Sequence, residues 1–256
     1  MMINKQEIVK HFNEEEINEA IKIYEKYVIS YEKDITMFIN KFYPPNIWSF
    51  FEANASNNFK IETNGIFEEC ERRIISFNNI YNMEYPIRVI KITNKSNFSN
   101  LKHKDYLGGL LSLGIERNTI GDIVIRNESA YVPVVEDIYL YILNNLNKIG
   151  KSPVDVKLIE QFDEIPKSEF EEFIINVSSL RLDSIIAKIC NVSRSKAIDL
   201  IESSRILLNY SKVNDKSKEI TDGSRLTIRG NGKYIIGNIV GETKSGKQKV
   251  QIRKYI

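Results

Sequence analysis

The sequence predicts an α+β protein built in three segments, and three observations carry that prediction. Apolar residues recur at helical spacing in some stretches and alternate at strand spacing in others, in an interleaved order. Residues 81–165 read strand, helix, strand, strand, helix, strand. Charge is also unevenly shared: residues 181–256 hold 16 Lys/Arg against 7 Asp/Glu, a net of +9, while residues 1–180 hold 20 against 27, a net of −7. An acidic body with a basic end points to a polyanionic partner for that end.

Residues 1–80 read as a small N-terminal α+β unit. Asn13 is an N-cap, and Glu14, Glu15 and Glu16 suit the positive end of the helix it opens. Ile17, Ala20, Ile21, Tyr24 and Val28 give that helix its apolar stripe. Pro44-Pro45 breaks the chain, and Ile47, Trp48, Phe50 and Phe51 start a short helix after it. Phe59 to Thr63 alternates like a strand, Asn64-Gly65 turns, and Glu68-Glu69-Cys70-Glu71-Arg72-Arg73 leads into the alternating Ile74 to Phe77. The aromatics here are expected in the core.

In residues 81–165, Ile87, Val89, Ile90 and Ile92 make the first strand. His103 to Leu113 is a helix, with Leu107, Leu110 and Leu111 on one face and Gly114 as its stop. Ile123 to Ile125 and Tyr131 to Val135 flank the turn Asn127-Glu128-Ser129. Asp137 to Lys148 is a helix ending at Gly150, and Val154, Val156, Leu158 and Ile159 close the unit. This is the order of the ferredoxin-like split unit, which also houses the RNA-recognition motif (RRM). Ala130 to Val135 lacks that motif's aromatic, Gly-rich signature, and Pro133 reads as an edge-strand residue. The fold is therefore expected as RRM-like without base stacking, in a scaffold or protein-docking role. Phe162 to Glu172, polar and acidic around Pro166, is expected as a linker or adaptor helix.

The third segment, residues 177–256, carries the functional signal. Leu182, Ile185, Ile186 and Ile189 form the stripe of a short helix. Asn191-Val192 turns, and Ser193 caps a second helix that carries Ala197, Ile198 and Ile201 inward. Strands follow at Ile206 to Leu208 and Arg225 to Arg229, with a turn at Asp222-Gly223. Arg194 and Lys196 stand in the first turn of the second helix, where a cation is unfavourable by roughly 0.3–1 kcal/mol. The same placement converges amides and cations on one anion, so it reads as a phosphate site that sacrifices local stability. A C-terminal β hairpin at Lys233 to Gly237 and Lys249 to Lys254 sets Lys249, Gln251 and Arg253 on one face, as basic surface or as a solvated strand face.

Arg181-Leu182-Asp183, Ser193-Arg194-Ser195-Lys196-Ala197, Leu208-Asn209 and Arg229-Gly230 resemble the S-four (alpha-L) RNA-binding domain. The resemblance covers about Val177 to Tyr234 and implies a helix pair on a small sheet that grips RNA phosphates. It implies RNA contact at Arg181, Ser193, Arg194, Lys196 and Arg229, with Lys212 and Lys233 as further basic contacts, and gives Asp183 a capping or basic-residue-pairing role. The family pattern has Gly where Ser204 stands, and Gly then Asp where Asp222-Gly223 stand. Further upstream, His103 to Arg117, Ile120-Gly121-Asp122-Ile123, Gly65-Ile66-Phe67-Glu68, Glu71-Arg72 and Asn209-Tyr210 resemble the YlmH group of bacterial S-four proteins. That wider likeness implies a ribosome-associated factor of cytoplasmic quality control. Such a factor holds peptidyl-tRNA on a stalled large (50S) subunit while alanine tails are added, and contacts ribosomal RNA, tRNA and a nascent-chain tailing factor. It implies no membrane, a monomer, no catalytic residue, no metal and no cofactor.

Enzymatic readings draw little support from the residues. Gly108-Gly109 falls inside an apolar helix and reads as packing, not as a methyltransferase loop, and no P-loop or nucleophile elbow occurs. His103 beside Asp105 reads as helix-start polarity, and Asp122 after Gly121 as a turn residue. An RNA-modifying enzyme, of pseudouridine synthase or methyltransferase type and targeted by the basic module, is the rival reading. Cys70 and Cys190 are isolated and read as reduced thiols, with one disulfide between them as the alternative. No apolar run approaches the roughly 20 residues that span a bilayer, and Met1 to Glu7 lacks a signal-peptide core.

Overall fold

The computed structural model describes residues 3–56, 58–67, 70–160, 165–166 and 169–255. Met1, Met2, Glu68, Glu69 and residues 162–164, 167 and 168 of the expected linker lie outside the described residues. The chain is mixed α and β, with every strand pair among the described residues antiparallel, and divides into two units, Met1–Lys167 and Ser168–Ile256. No helix among the described residues is long and apolar enough to cross a membrane.

The first unit opens with α1 (Lys5–His11), closed by a capping box between Asn4 and Glu7, which the sequence reading passed over. Helix α2 (Glu14–Lys33) starts where expected: the Asn13 side chain accepts from the Glu16 amide at 3.1 Å. Its fully buried line is Ala20, Ile23, Tyr27 and Ser30, and the expected Ile17, Ile21, Tyr24 and Val28 flank it. Tyr27 fixes that rotation, because its ring sits 5.3 Å from Phe59 and 5.6 Å from Phe77. After β1 (Met37–Phe38) and α3 (Pro45–Ala53), strands β2 (Ile61–Asn64) and β3 (Ile74–Phe77) complete a sheet in the order β1-β3-β2.

Next come β4 (Ile87–Asn94), α4 (His103–Leu111), β5 (Val124–Arg126), β6 (Ser129–Val135), α5 (Tyr139–Asn145), β7 (Lys148–Ile149) and β8 (Ser152–Ile159). Their sheet runs β5-β6-β4-β8-β7. Three expectations need correcting here. Helix α5 ends at Asn145 rather than Lys148, because Ile149 is drawn into the core against α4. A Cβ on Gly109 would stand 2.7 Å from Ile149, so that glycine makes room for the β7 contact. The buried face of α4 is Tyr106, Gly109 and Leu110, with Leu111 exposed. Strand β6 is not an edge strand, since it lies between β5 and β4. Its Pro133 is accommodated because β5 pairing stops at Tyr131 and Gly121 donates to the Pro133 carbonyl from that side.

The boundary expected near residue 80 falls inside this first unit. Phe42 and Ile74 share a core cluster with Ile87 and Val135. Polar bonds reinforce the seam: Asp122 accepts from the Glu71 and Arg72 amides, and Arg72 donates to the Phe42 carbonyl at 2.8 Å. Arg117 donates to the Ile120 and Gly121 carbonyls, and burial together with the adjacent Arg72 pushes its guanidinium down to about 10. Asp122 is thus more than a turn residue.

The second unit begins with β9 (Phe170–Val177), where a linker or adaptor helix was expected. Phe173, Ile175 and Val177 alternate inward, and β9 pairs along its whole length with β14 (Gln248–Tyr255). Between them come α6 (Leu182–Ile189), α7 (Arg194–Glu202), β10 (Ile206–Leu208), β11 (Ser211–Lys212), β12 (Arg225–Ile228) and β13 (Gly232–Glu242). The sheet order is β11-β10-β12-β13-β14-β9, and α6 and α7 cover one face over a core of Leu182, Ile185, Ile186, Ala197, Ile201, Leu226 and Ile252.

Asp122→Ala removes the acceptor for two backbone amides. Urea unfolding followed by Trp48, the only tryptophan and itself bonded to Glu71, should report a loss of about 2 kcal/mol. An unchanged midpoint would show that the seam does not depend on this carboxylate.

Candidate nucleic-acid interface

The helix pair is joined by Asn191, which adopts φ +52 and lets the chain reverse within a short turn. Ser193 then caps α7, its hydroxyl accepting from the Lys196 amide at 3.3 Å. This turn sets the start of α7 beside the start of α6. Arg181 occupies the N-cap of α6 and Asp183 its first turn.

One carboxylate organises the site. Asp183 is 2% exposed in its side chain, and each of its oxygens accepts from two guanidinium groups. Arg181 binds it through Nε at 3.2 Å and Nη2 at 3.2 Å, and Arg194 through Nε at 2.9 Å and Nη2 at 3.1 Å. The result is two fork-shaped pairs on one anion, an arrangement only arginine can make. Each guanidinium spends two of its five N–H donors on Asp183 and directs the rest outward. Both stay accessible, Arg181 at 39% and Arg194 at 52%. Arg194 is therefore compensated by the preceding helix, and its place at a positive helix end is less unfavourable than the sequence alone implies.

Burial on its own would raise the Asp183 carboxyl, but hydrogen bonds from Arg181 and Arg194 and their charges outweigh it and hold it below the usual range. The cluster keeps a net positive charge at neutral pH, with two long side chains already ordered. Pre-ordering matters, since fixing a free arginine side chain on binding costs about 0.5–1.5 kcal/mol. The first amides of α6 are not part of the site: Leu182 donates to the Lys218 carbonyl at 2.9 Å and Asp183 to the Lys216 carbonyl at 3.2 Å. Those of Arg194 and Ser195 at the start of α7 have no such loop across them among the described residues.

The other expected residues divide into groups. Lys196 is exposed and reaches Asp199 at 3.7 Å, a contact worth little in solvent. Arg229 lies in the turn after β12, its amide donating to the Arg205 carbonyl at 3.0 Å. Arg205 in turn donates to the Arg229 carbonyl at 3.3 Å. The sequence reading missed Arg205, which carries no motif of its own. Lys212 and Lys233 belong to a different surface. Register aligns Lys212, Leu207, Thr227 and Lys233 in one row across β11, β10, β12 and β13, on the face away from the helices. The structure thus brings Arg181, Ser193, Arg194 and Lys196 together and leaves Lys212 and Lys233 apart from them. Ser204, where the family pattern has glycine, adopts φ +54, so the left-handed turn after α7 is kept without glycine.

The sign of the acid dependence comes from Asp183. Its folded value lies below the unfolded one, so its contribution is fully present above about pH 4 and lost as pH falls through the lowered value. The protection factors of the α6 and α7 amides, that is, exchange corrected for the intrinsic rate at each pH, should fall below that point in the wild type. Asp183→Asn should show faster exchange at neutral pH and a flatter acid response. Superimposable pH profiles for the two proteins would contradict this role.

Residues 81–163 match the family model described as "Putative RNA-binding domain in YlmH". A curated protein of Bacillus subtilis (strain 168), ribosome-associated protein quality control protein P2, is 29% identical over 172 residues, covering 67% of this chain and 67% of that protein. Among solved structures, cell division protein ylmH from Streptococcus pneumoniae matches at a TM-score of 0.48 and 22% identity, over 61% of this chain and 98% of that one. The chain is YlmH-like in sequence, and the family match falls on the middle segment, which the sequence reading gave a scaffold or docking role.

Proposed function

We propose that this YlmH-like chain is a non-catalytic RNA-binding translation factor of ribosome-associated quality control. The observation that carries the reading is the Arg181–Asp183–Arg194 cluster, within a segment of net charge +9. Two pre-ordered guanidiniums with outward N–H donors suit the phosphate oxygens of a folded RNA backbone. On this reading residues 177–256 form an S-four module, and residues 81–165 a ferredoxin-like unit. Sequence likeness to the Bacillus subtilis protein supports a place on the ribosome. The module would grip ribosomal RNA and tRNA on the large subunit, in complexes stalled with peptidyl-tRNA, while alanine tailing proceeds. Arg205 and Arg229 would extend the contact along the backbone. The factor has no chemistry of its own in this scheme and works in the cytoplasm.

Arg194→Glu combined with Lys196→Glu replaces two phosphate contacts with repulsion. Affinity for purified 50S subunits should fall by about tenfold or more, since a charged hydrogen bond contributes about 1.5–3 kcal/mol. Unchanged co-sedimentation would remove the site assignment.

A further inference from the structure

Phe98 is 100% exposed. A lone surface apolar residue is ordinary, and its meaning here comes from how the loop is held and what surrounds it. The loop after β4 is braced at several points. Asn94 accepts from the Ser96 amide at 3.0 Å and donates to the Ser99 carbonyl at 2.7 Å. The Ser99 and Ser152 hydroxyls are 2.6 Å apart, and the Lys95 amide donates to the Pro153 carbonyl at 2.9 Å. These bonds fasten the loop to the start of β8 and leave Phe98 exposed within it.

The surroundings are cationic. Residues 95–104 contain Lys95, Lys102, His103 and Lys104 and no carboxylate. The adjoining turn adds Lys148 and Lys151. All five lysines are exposed, and among the described residues none has an ion-pair partner. Two carboxylates border the patch: Asp105 accepts from the Lys102 amide at the start of α4, and Asp155 pairs with Lys157. Asn97, Ser99 and Asn100, also exposed, offer hydrogen-bonding groups on either side of the ring. In a body whose first 180 residues sum to −7, this is a local reversal of sign.

An exposed ring in a loop rich in cations and amides suits a π-face flanked by phosphates. A duplex hides its base faces in the stack, so the matching ligand is single-stranded. We propose that residues 95–104, with Lys148 and Lys151, form a binding site for single-stranded RNA in which Phe98 stacks on an unpaired base. The lysines hold the phosphates on either side. The site rests on the RNA-binding reading above only in its class of ligand. It lies in the first unit, whereas the Arg–Asp–Arg cluster lies in the second.

The test uses the full chain and fluorescence anisotropy with two labelled probes, an oligouridine of about 12 nucleotides and a hairpin RNA with a junction. Phe98→Ala should weaken oligouridine binding about tenfold, as expected for the loss of one stacked base, and leave the hairpin within about twofold. Phe98→Trp should retain both. Lys95→Glu with Lys102→Glu should also weaken oligouridine and flatten its salt dependence. Arg194→Glu with Lys196→Glu should do the reverse, weakening the hairpin alone. Equal oligouridine affinity for wild type and Phe98→Ala would overturn the site, as would wild type that binds only the hairpin. Wild type that binds neither RNA would overturn the RNA-binding reading and this site with it. If Phe98→Ala lost binding to phosphatidylserine vesicles while keeping full oligouridine affinity, the loop would be a membrane contact and the proposal would fail.

Discussion

The second unit depends on a single buried carboxylate. Asp183 sits almost out of water, where an unpaired anion would be strongly unfavourable, and it stays ionised because Arg181 and Arg194 fill its acceptor sites. Arg181 belongs to the start of α6 and Arg194 to the start of α7, so one anion pins two helix ends together. Asn191 makes the tight reversal possible, and Ser193 caps the helix beyond it. The apolar stripe of α6 and the inward residues of α7 then meet the sheet in a fixed orientation. Stability and binding geometry are therefore the same interaction: the bonds that keep the carboxylate satisfied also aim the remaining guanidinium donors at solvent.

The first unit uses a comparable device for a different end. Asp122 accepts backbone amides from the Glu71–Arg72 stretch, and Arg72 reaches back to Phe42. Here the carboxylate joins residues 1–80 to the segment after them. Positive charge in this unit gathers instead around the loop after β4. If both surfaces bind RNA, they select different features of it. A pair of arginine forks reads backbone geometry, while an exposed ring reads an unstacked base.

Much of this was legible in the sequence where the signal is local. Asn13 and Ser193 are caps that declare themselves by residue type, and both cap as expected. The inward residues of α6 follow a clean helical period. The features that escaped were set by tertiary packing. Strand β9 was hidden because Glu171, Glu172 and the preceding polar residues mask the alternation of Phe173, Ile175 and Val177, which only pairing with β14 rewards. The end of α5 lies earlier than its sequence pattern indicates, and Ile149 instead packs at Gly109 from the short strand β7. The compensation of Arg194 by Asp183 spans eleven residues, and no periodicity encodes it. Phe98 sat in a stretch without pattern, where only the three-dimensional bracing of the loop distinguishes it.

The most direct measurement is sedimentation of the full chain, in lysate, through sucrose gradients at low and moderate salt. A protein that grips RNA phosphates should travel with free large subunits, enriched for peptidyl-tRNA, and should leave them steeply as salt rises. Migration at the top of the gradient under both conditions would contradict the account. It would mean that the Arg–Asp–Arg cluster serves some partner other than the ribosome.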